Sequence, residues 1–175
     1  MGVLIRFWIL AVISFTITGH SQEEEIRWSP EVRLKWSDFR GQARENSPIA
    51  AVTASGLSYR FSSLEDDGYY EVEYEVSTFF YPLKSWYQPH KCDDLVLSHE
   101  QLHFDIAELF ARRMRRTIDN TRFTENVKAE INAIYVQTLK ELEDFQDKYD
   151  METNYSMNKA AQLKWNKQIQ EALNQ

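Results

Sequence analysis

His99, Glu100 and His103 are the residues whose types and spacing could do chemistry. They fall in the run His99-Glu100-Gln101-Leu102-His103, early in a strongly helical stretch. Positions i and i+4 of a helix lie about 40° apart on one face, so two imidazoles at this spacing can reach one metal ion. Glu100 then stands beside the ion. This is the H-E-x-x-H pattern of zinc peptidases. There the ion lowers the pKa of a water to about 7, and the glutamate, as general base, takes its proton and passes it to the leaving amine. The competing explanation is packing: His99 and His103 share an apolar stripe with Leu95, Leu102, Ile106 and Phe110 and could be buried histidines. A helix seldom turns two ionisable rings and a carboxylate toward its core without a use for them, so zinc held by His99 and His103 is the expectation.

A catalytic zinc takes three protein ligands and keeps a fourth position open, so one ligand must come from outside this turn. Glu108 lies nine residues from His99, about 180° round the helix, and points away. Glu130 shares the inner stripe of the next helix with Val127 and Ile134, and His90 lies in the loop before the motif. Both are candidates.

The elements that position these residues change character near Asp94. Before it, Leu34–Gly41 alternates briefly and reads as a short strand and turn, and Gly41–Pro48 as a polar loop. A strand follows over about Ile49–Phe61, then a hairpin loop over Ser62–Gly68, then a strand over Tyr70–Phe80. In the last, Tyr70, Val72, Tyr74, Val76, Thr78 and Phe80 share one face and Glu71, Glu73, Glu75 and Ser77 the other. The glutamate row spreads its carboxylates about 7 Å apart, which suits a solvated sheet face and not a calcium loop. The edge of Glu73–Phe80 could pair with an extended peptide.

After it come three helices. The motif helix is predicted over about Asp94–Asp119, capped by Asp93 or Asp94, with Leu95, His99, Leu102, His103, Ile106, Phe110, Met114 and Ile118 as its core stripe. Arg112, Arg113, Arg115 and Arg116 near its end read as a solvated face suited to the helix dipole. A second helix runs from a Thr124 cap to about Tyr149, with Asp150–Ser156 a polar break, and a third carries Ala161, Trp165, Ile169 and Leu173. Strands followed by helices argue for α+β.

With 175 residues, 43% hydrophobic and 14% aromatic, the chain can build a real core. Its net charge of -7 and the lack of a basic tract interleaved with aromatics argue against a nucleic-acid partner. Arg6, the apolar run Phe7–Ile17 and the small residues Gly19 and Ser21 read as a cleavable secretory signal over residues 1–21. Its apolar core is short for a membrane span of about 20 residues, so no stable span is expected after cleavage. Cys92, the only cysteine, forms no internal disulfide and has no free base to activate it as a nucleophile.

Four stretches carry a resemblance. They are Leu34-Lys35-Trp36-Ser37-Asp38-Phe39 with Gly41, Ala50–Gly56, Ser98–Glu108 and Tyr149-Asp150-Met151-Glu152-Thr153-Asn154. Together they resemble the bacterial family known as domain of unknown function 922, described as predicted secreted zinc-dependent proteases. The resemblance implies an exported protein with a zincin-like fold, zinc on His99 and His103, and Glu100 as base. It also implies a histidine after the Tyr-Asp-x-x-Thr-x segment as an attractive third ligand, where this chain has Tyr155. A phenol with pKa about 10 is a weaker ligand near neutral pH. The expectation is therefore a zincin-like α+β domain over residues 22–175, a small antiparallel sheet followed by three helices, secreted or periplasmic. It would hydrolyse a peptide or protein substrate. The alternative is a non-catalytic zincin-fold binding protein that lacks a full set of metal ligands.

Overall fold

One long helix, α1 (Asp94–Asp119), organises the chain, and the computed structural model describes residues 24–43 and 47–175 around it. The helix starts where Asp93 accepts a hydrogen bond from the Val96 amide at 2.9 Å, and Asp94 and Arg116 suit the two ends of its dipole. Its burial goes beyond a single stripe: Leu102, Ile106, Phe110, Met114 and Ile118 are buried, and so are Phe104, Ala107 and Ala111. The cause is packing on both sides, with β-strands on one and two helices on the other.

The fold is α+β, as the order of elements predicts. Strand β1 (Ile26–Arg27) pairs with β4 (Tyr69–Phe80), which pairs along its length with β3 (Ser55–Asp66), all antiparallel. A second small pair joins β2 (Ala51–Val52) and β5 (Trp86–Tyr87). On β4, Val76, Thr78 and Phe80 are buried, while Glu71 and Glu73 on the opposite face are exposed. Glu75 pairs with Arg27 and Arg60.

Helix α2 (Val127–Thr153) and helix α3 (Lys159–Leu173) complete the other side. Phe145 meets Phe110 at 5.3 Å and Trp165 at 5.2 Å, so one aromatic side chain joins all three helices.

Several local expectations give way for identifiable reasons. Leu34–Gly41 forms a single 3-10 turn, Trp36–Asp38, and not a strand. Asp38 closes that turn on itself by accepting from the Lys35 amide at 2.7 Å, a local bond that competes with sheet pairing. The alternating aromatics serve packing instead: Trp36 stacks on Tyr87 at 4.6 Å, and Phe39 meets Phe80 edge-on at 5.1 Å. The strand expected over Ile49–Phe61 is broken at Thr53-Ala54, where Thr53 Oγ1 donates to the Glu100 carbonyl and the Ala54 amide to Ser85 Oγ. The hairpin loop shrinks to Asp67-Gly68, because both residues adopt positive φ (46° and 79°) and reverse the chain in two steps.

The arginines of α1 are not all solvated. Glu108, 5% exposed, accepts from Arg112 Nε at 3.3 Å, Arg115 Nη1 at 2.9 Å and Thr78 Oγ1 at 2.8 Å. Arg115 also donates to the Val76 carbonyl, and Arg113 lies over the Phe110 ring. A buried carboxylate on the helix recruits cations that spacing alone would leave in water.

Among the described residues no helix is long and apolar enough to cross a membrane. The signal expected over residues 1–21 lies outside the described residues.

Gly41 supplies a test of the packing. A Cβ there would stand 2.8 Å from the Ser85 carbonyl oxygen and 2.9 Å from that of Leu83. Both neighbours are backbone, and the Gly41 amide donates to Ser85 O at 2.7 Å. Gly41→Ala should therefore destabilise the protein by about 1–3 kcal/mol, measured by urea unfolding.

Candidate metal centre

The first third of α1 turns His99 and His103 to the same side, and their Nε2 atoms lie 3.2 Å apart. The next helix brings a third atom. Asp150 Oδ1 stands 3.0 Å from His99 Nε2 and 3.1 Å from His103 Nε2, so the three make a nearly equilateral triangle. His99 is 4% exposed, His103 13% and Asp150 26%, so the cluster is reached from the Asp150 side.

Local structure holds each member. The ring of His99 stacks on Tyr149 at 4.5 Å with 20° between planes, and His103 meets the same ring edge-on at 5.1 Å. Asp150 sits in the last turn of α2, one residue after that fully buried tyrosine. Its carbonyl accepts from the Tyr155 amide at 2.9 Å, and Thr153 Oγ1 donates to the Tyr149 carbonyl at 2.8 Å. Asn154, Tyr155 and Ser156 all take positive φ (47°, 51° and 72°), which ends the helix at a fixed place.

The electrostatics follow from this crowding. Burial works to raise the Asp150 carboxyl, but its bonds to His103 and His99 outweigh that and hold it well below the usual carboxylate range. Burial likewise works to lower His103, yet the Asp150 bond and the charges of Glu100 and Asp150 raise it overall. The Tyr149 hydroxyl is pushed up, by burial first and then by the charges of Glu100, Asp150 and Asp105, so it remains a neutral donor. Two ring nitrogens and a carboxylate oxygen at these distances are held together either by protons or by a shared cation. His99, His103 and Asp150 could therefore hold a metal ion.

Glu100 is 5% exposed, and its Oε2 has no hydrogen-bond partner among the described residues. Its charge helps to raise both His103 and the Tyr149 hydroxyl. An unpartnered buried acceptor costs about 1–3 kcal/mol, a cost kept where a group has work to do. Cys92 is a poor nucleophile here. Burial raises its thiol and the charge of Glu100 adds to that, while its Sγ lies 3.3 Å from the Ala50 carbonyl.

None of the three residues expected as a possible third ligand joins the cluster. Tyr155 is 62% exposed beyond the helix end. Glu130 is spent at the start of α2, where Thr124 donates to it from its hydroxyl at 2.6 Å and its amide at 3.0 Å. His90 is exposed in the 3-10 turn Pro89–Lys91. Glu108, nine residues on, does point the other way, toward Thr78. Asp150 escapes the sequence reading because α2 is expected to stop at Tyr149. Extending the helix by one turn, to the observed Thr153, puts Asp150 on a helix face that meets α1.

Residues 84–158 match the family model for bacterial protein of unknown function, DUF922. No curated protein and no solved structure matches. The DUF922 span contains His99, Glu100, His103 and Asp150 and ends before α3. Its description names no activity.

The donor set can be tested directly. A divalent ion titrated into metal-free protein should bind at about one per chain, and Asp150→Ala should weaken it by more than about 100-fold, beyond what an outer partner costs. Tyr155→Phe, Glu130→Gln and His90→Gln should each leave the affinity unchanged in the same titration.

Proposed function

We propose that the protein is a zinc-dependent metallopeptidase with His99, His103 and Asp150 as ligands and Glu100 as general base. The observation that carries it is the convergence of three donors, together with a buried, unpartnered Oε2 on Glu100, the residue that follows His99 on the same helix. Two nitrogens and one oxygen suit zinc. Tetrahedral bonds of about 2.0–2.2 Å set donors about 3.3–3.6 Å apart, a few tenths of an ångström wider than the 3.0–3.2 Å edges of the triangle. Asp150 also supplies the third donor whose lack would favour a non-catalytic binding protein.

Bound zinc would supply Lewis acidity, polarising the scissile carbonyl and making water acidic enough to lose a proton near neutral pH. Glu100 does the proton work: Oε2 takes the proton of the attacking water and delivers it to the amine nitrogen as the peptide bond breaks. The stacked Tyr149 ring keeps the two imidazoles from turning away.

Support for an extended peptide comes from β3, not from the Glu73–Phe80 edge. Strand β4 is interior: β3 covers one side, and β1, Arg115 on the Val76 carbonyl and a bridge from Tyr70 to Phe123 occupy points along the other. The Tyr81 amide bonds the Ala54 carbonyl at 2.9 Å, which sets the even residues of β3 facing β4. Ser55, Leu57 and Tyr59 then turn their backbone groups outward; Tyr135 Oη takes Leu57 O at 3.2 Å, so the stretch offered to a peptide is the Ser55 end. The open edge begins beside the motif helix, since Thr53 bonds the Glu100 carbonyl. A peptide paired at Ser55 would pass near the turn of α1 that carries Glu100.

Glu100→Gln should keep zinc, because Glu100 is not a ligand, yet lose hydrolysis of a peptide library by a factor of about 100 or more. A wild-type protein that holds zinc and cleaves no library member would make it a binding protein instead. We also place the protein outside the cytoplasm, on the strength of Arg6 and the Phe7–Ile17 run. Mass spectrometry of the exported protein should find an N-terminus near Gln22, and an intact Met1 in a cytosolic fraction would refute it.

A further inference from the structure

Gln162 lies on α3, outside the span that matches the family, and is fully buried at 0% exposure. A buried amide is costly unless every polar atom is used, and this one is used throughout. Its Oε1 stands 2.9 Å from His99 Nδ1. Its Nε2 donates to the Tyr149 hydroxyl at 2.6 Å and to Asn166 Oδ1 at 2.8 Å. Asn166 Nδ2 in turn donates to Ser98 Oγ at 2.8 Å. The Tyr149 hydroxyl has one proton and two acceptors in reach, the His99 carbonyl at 3.2 Å and Gln162 Oε1 at 3.0 Å. With Asn166 Nδ2 given to Ser98, Asn166 Oδ1 is left to accept from Gln162 Nε2, and that sets the amide oxygen of Gln162 against His99.

An amide oxygen only accepts, so the His99 ring must carry a proton on Nδ1. We infer that Gln162 is a positioning residue for the metal centre, holding His99 with its proton on Nδ1 and its Nε2 lone pair aimed at the ion. The inference rests on the proposal that the cluster holds zinc, and assigns to α3 a role that the motif helix cannot fill. Helical spacing brings the two rings to one side but leaves each free to choose a tautomer. A ligating histidine needs its other nitrogen fixed, and here the fixing group arrives from 63 residues further along the chain.

The test uses the full chain and zinc alone, with affinity measured by competition with a chelator. Gln162→Leu removes the acceptor at similar volume and should weaken zinc by about 10- to 100-fold. Gln162→Glu restores an acceptor for Nδ1–H, and Asn166 can reverse its amide to donate to it, so its affinity should stay within a few-fold of the wild type. A merely structural role would lower the unfolding temperature of the metal-free variants, leave the zinc affinity of the folded protein alone, and give no rescue by Glu. Nitrogen-15 NMR of the zinc-loaded wild type gives an arm that does not depend on any variant folding. The His99 Nδ1 proton should be present and protected from exchange with water. Wild-type affinity in a folded Gln162→Leu variant, failure of Gln162→Glu to rescue, or no protected Nδ1 proton would each overturn the inference. Wild-type protein that binds no zinc would instead remove the metal proposal itself, and the role of Gln162 with it.

Discussion

Three lone-pair-bearing atoms, from His99, His103 and Asp150, are forced to within 3.0–3.2 Å of one another, and much of the chain is arranged to keep them there. Such a cluster is unstable in electrostatic terms unless it shares positive charge. The surroundings nevertheless hold it rigidly: a buried tyrosine ring against both imidazoles, a left-handed turn just past Asp150, and a glutamine behind His99. Rigid support of this kind is what a set of metal-ligating side chains would need.

Two buried glutamates on α1 make the point by contrast. Glu108 is surrounded by Arg112, Arg115 and Thr78, and knits the helix to β4. Glu100, two turns earlier, is as deeply buried and has one oxygen with no partner among the described residues. The same side chain on the same helix is paired with cations in one place and left with an unpartnered oxygen in the other. The difference lies in what the sheet and the arginines bring up to it, not in propensity or spacing.

Sequence alone carried the skeleton because its signals there are local and periodic. The caps and apolar spacing of α1 define it from Asp94 to Asp119, and the alternation of Tyr70–Phe80 defines the inner face of β4. What it missed depends on contacts made far along the chain. Trp36 and Phe39 look like alternating strand residues until Tyr87 and Phe80 are seen to receive them. Arg112 and Arg115 look solvated until Glu108 is known to be buried. Asp150 was hidden by a single turn of helix, since a polar run after Tyr149 reads as a break. Gln162 gave no signal at all, because a glutamine on a helix is ordinary until its neighbours are known.

The location of Asp150 on α2 also makes the cluster a matter of chain topology. Asp150 lies 51 residues from His99, so an ion gripping both would close a long loop and tie two helices together. A chain with one cysteine has no covalent crosslink to do this. Coordination would act as a reversible staple, lending stability by RT ln(1 + [L]/Kd) according to how much free metal the compartment holds. The persistence of the folded protein would then report the metal supply around it, quite apart from any turnover.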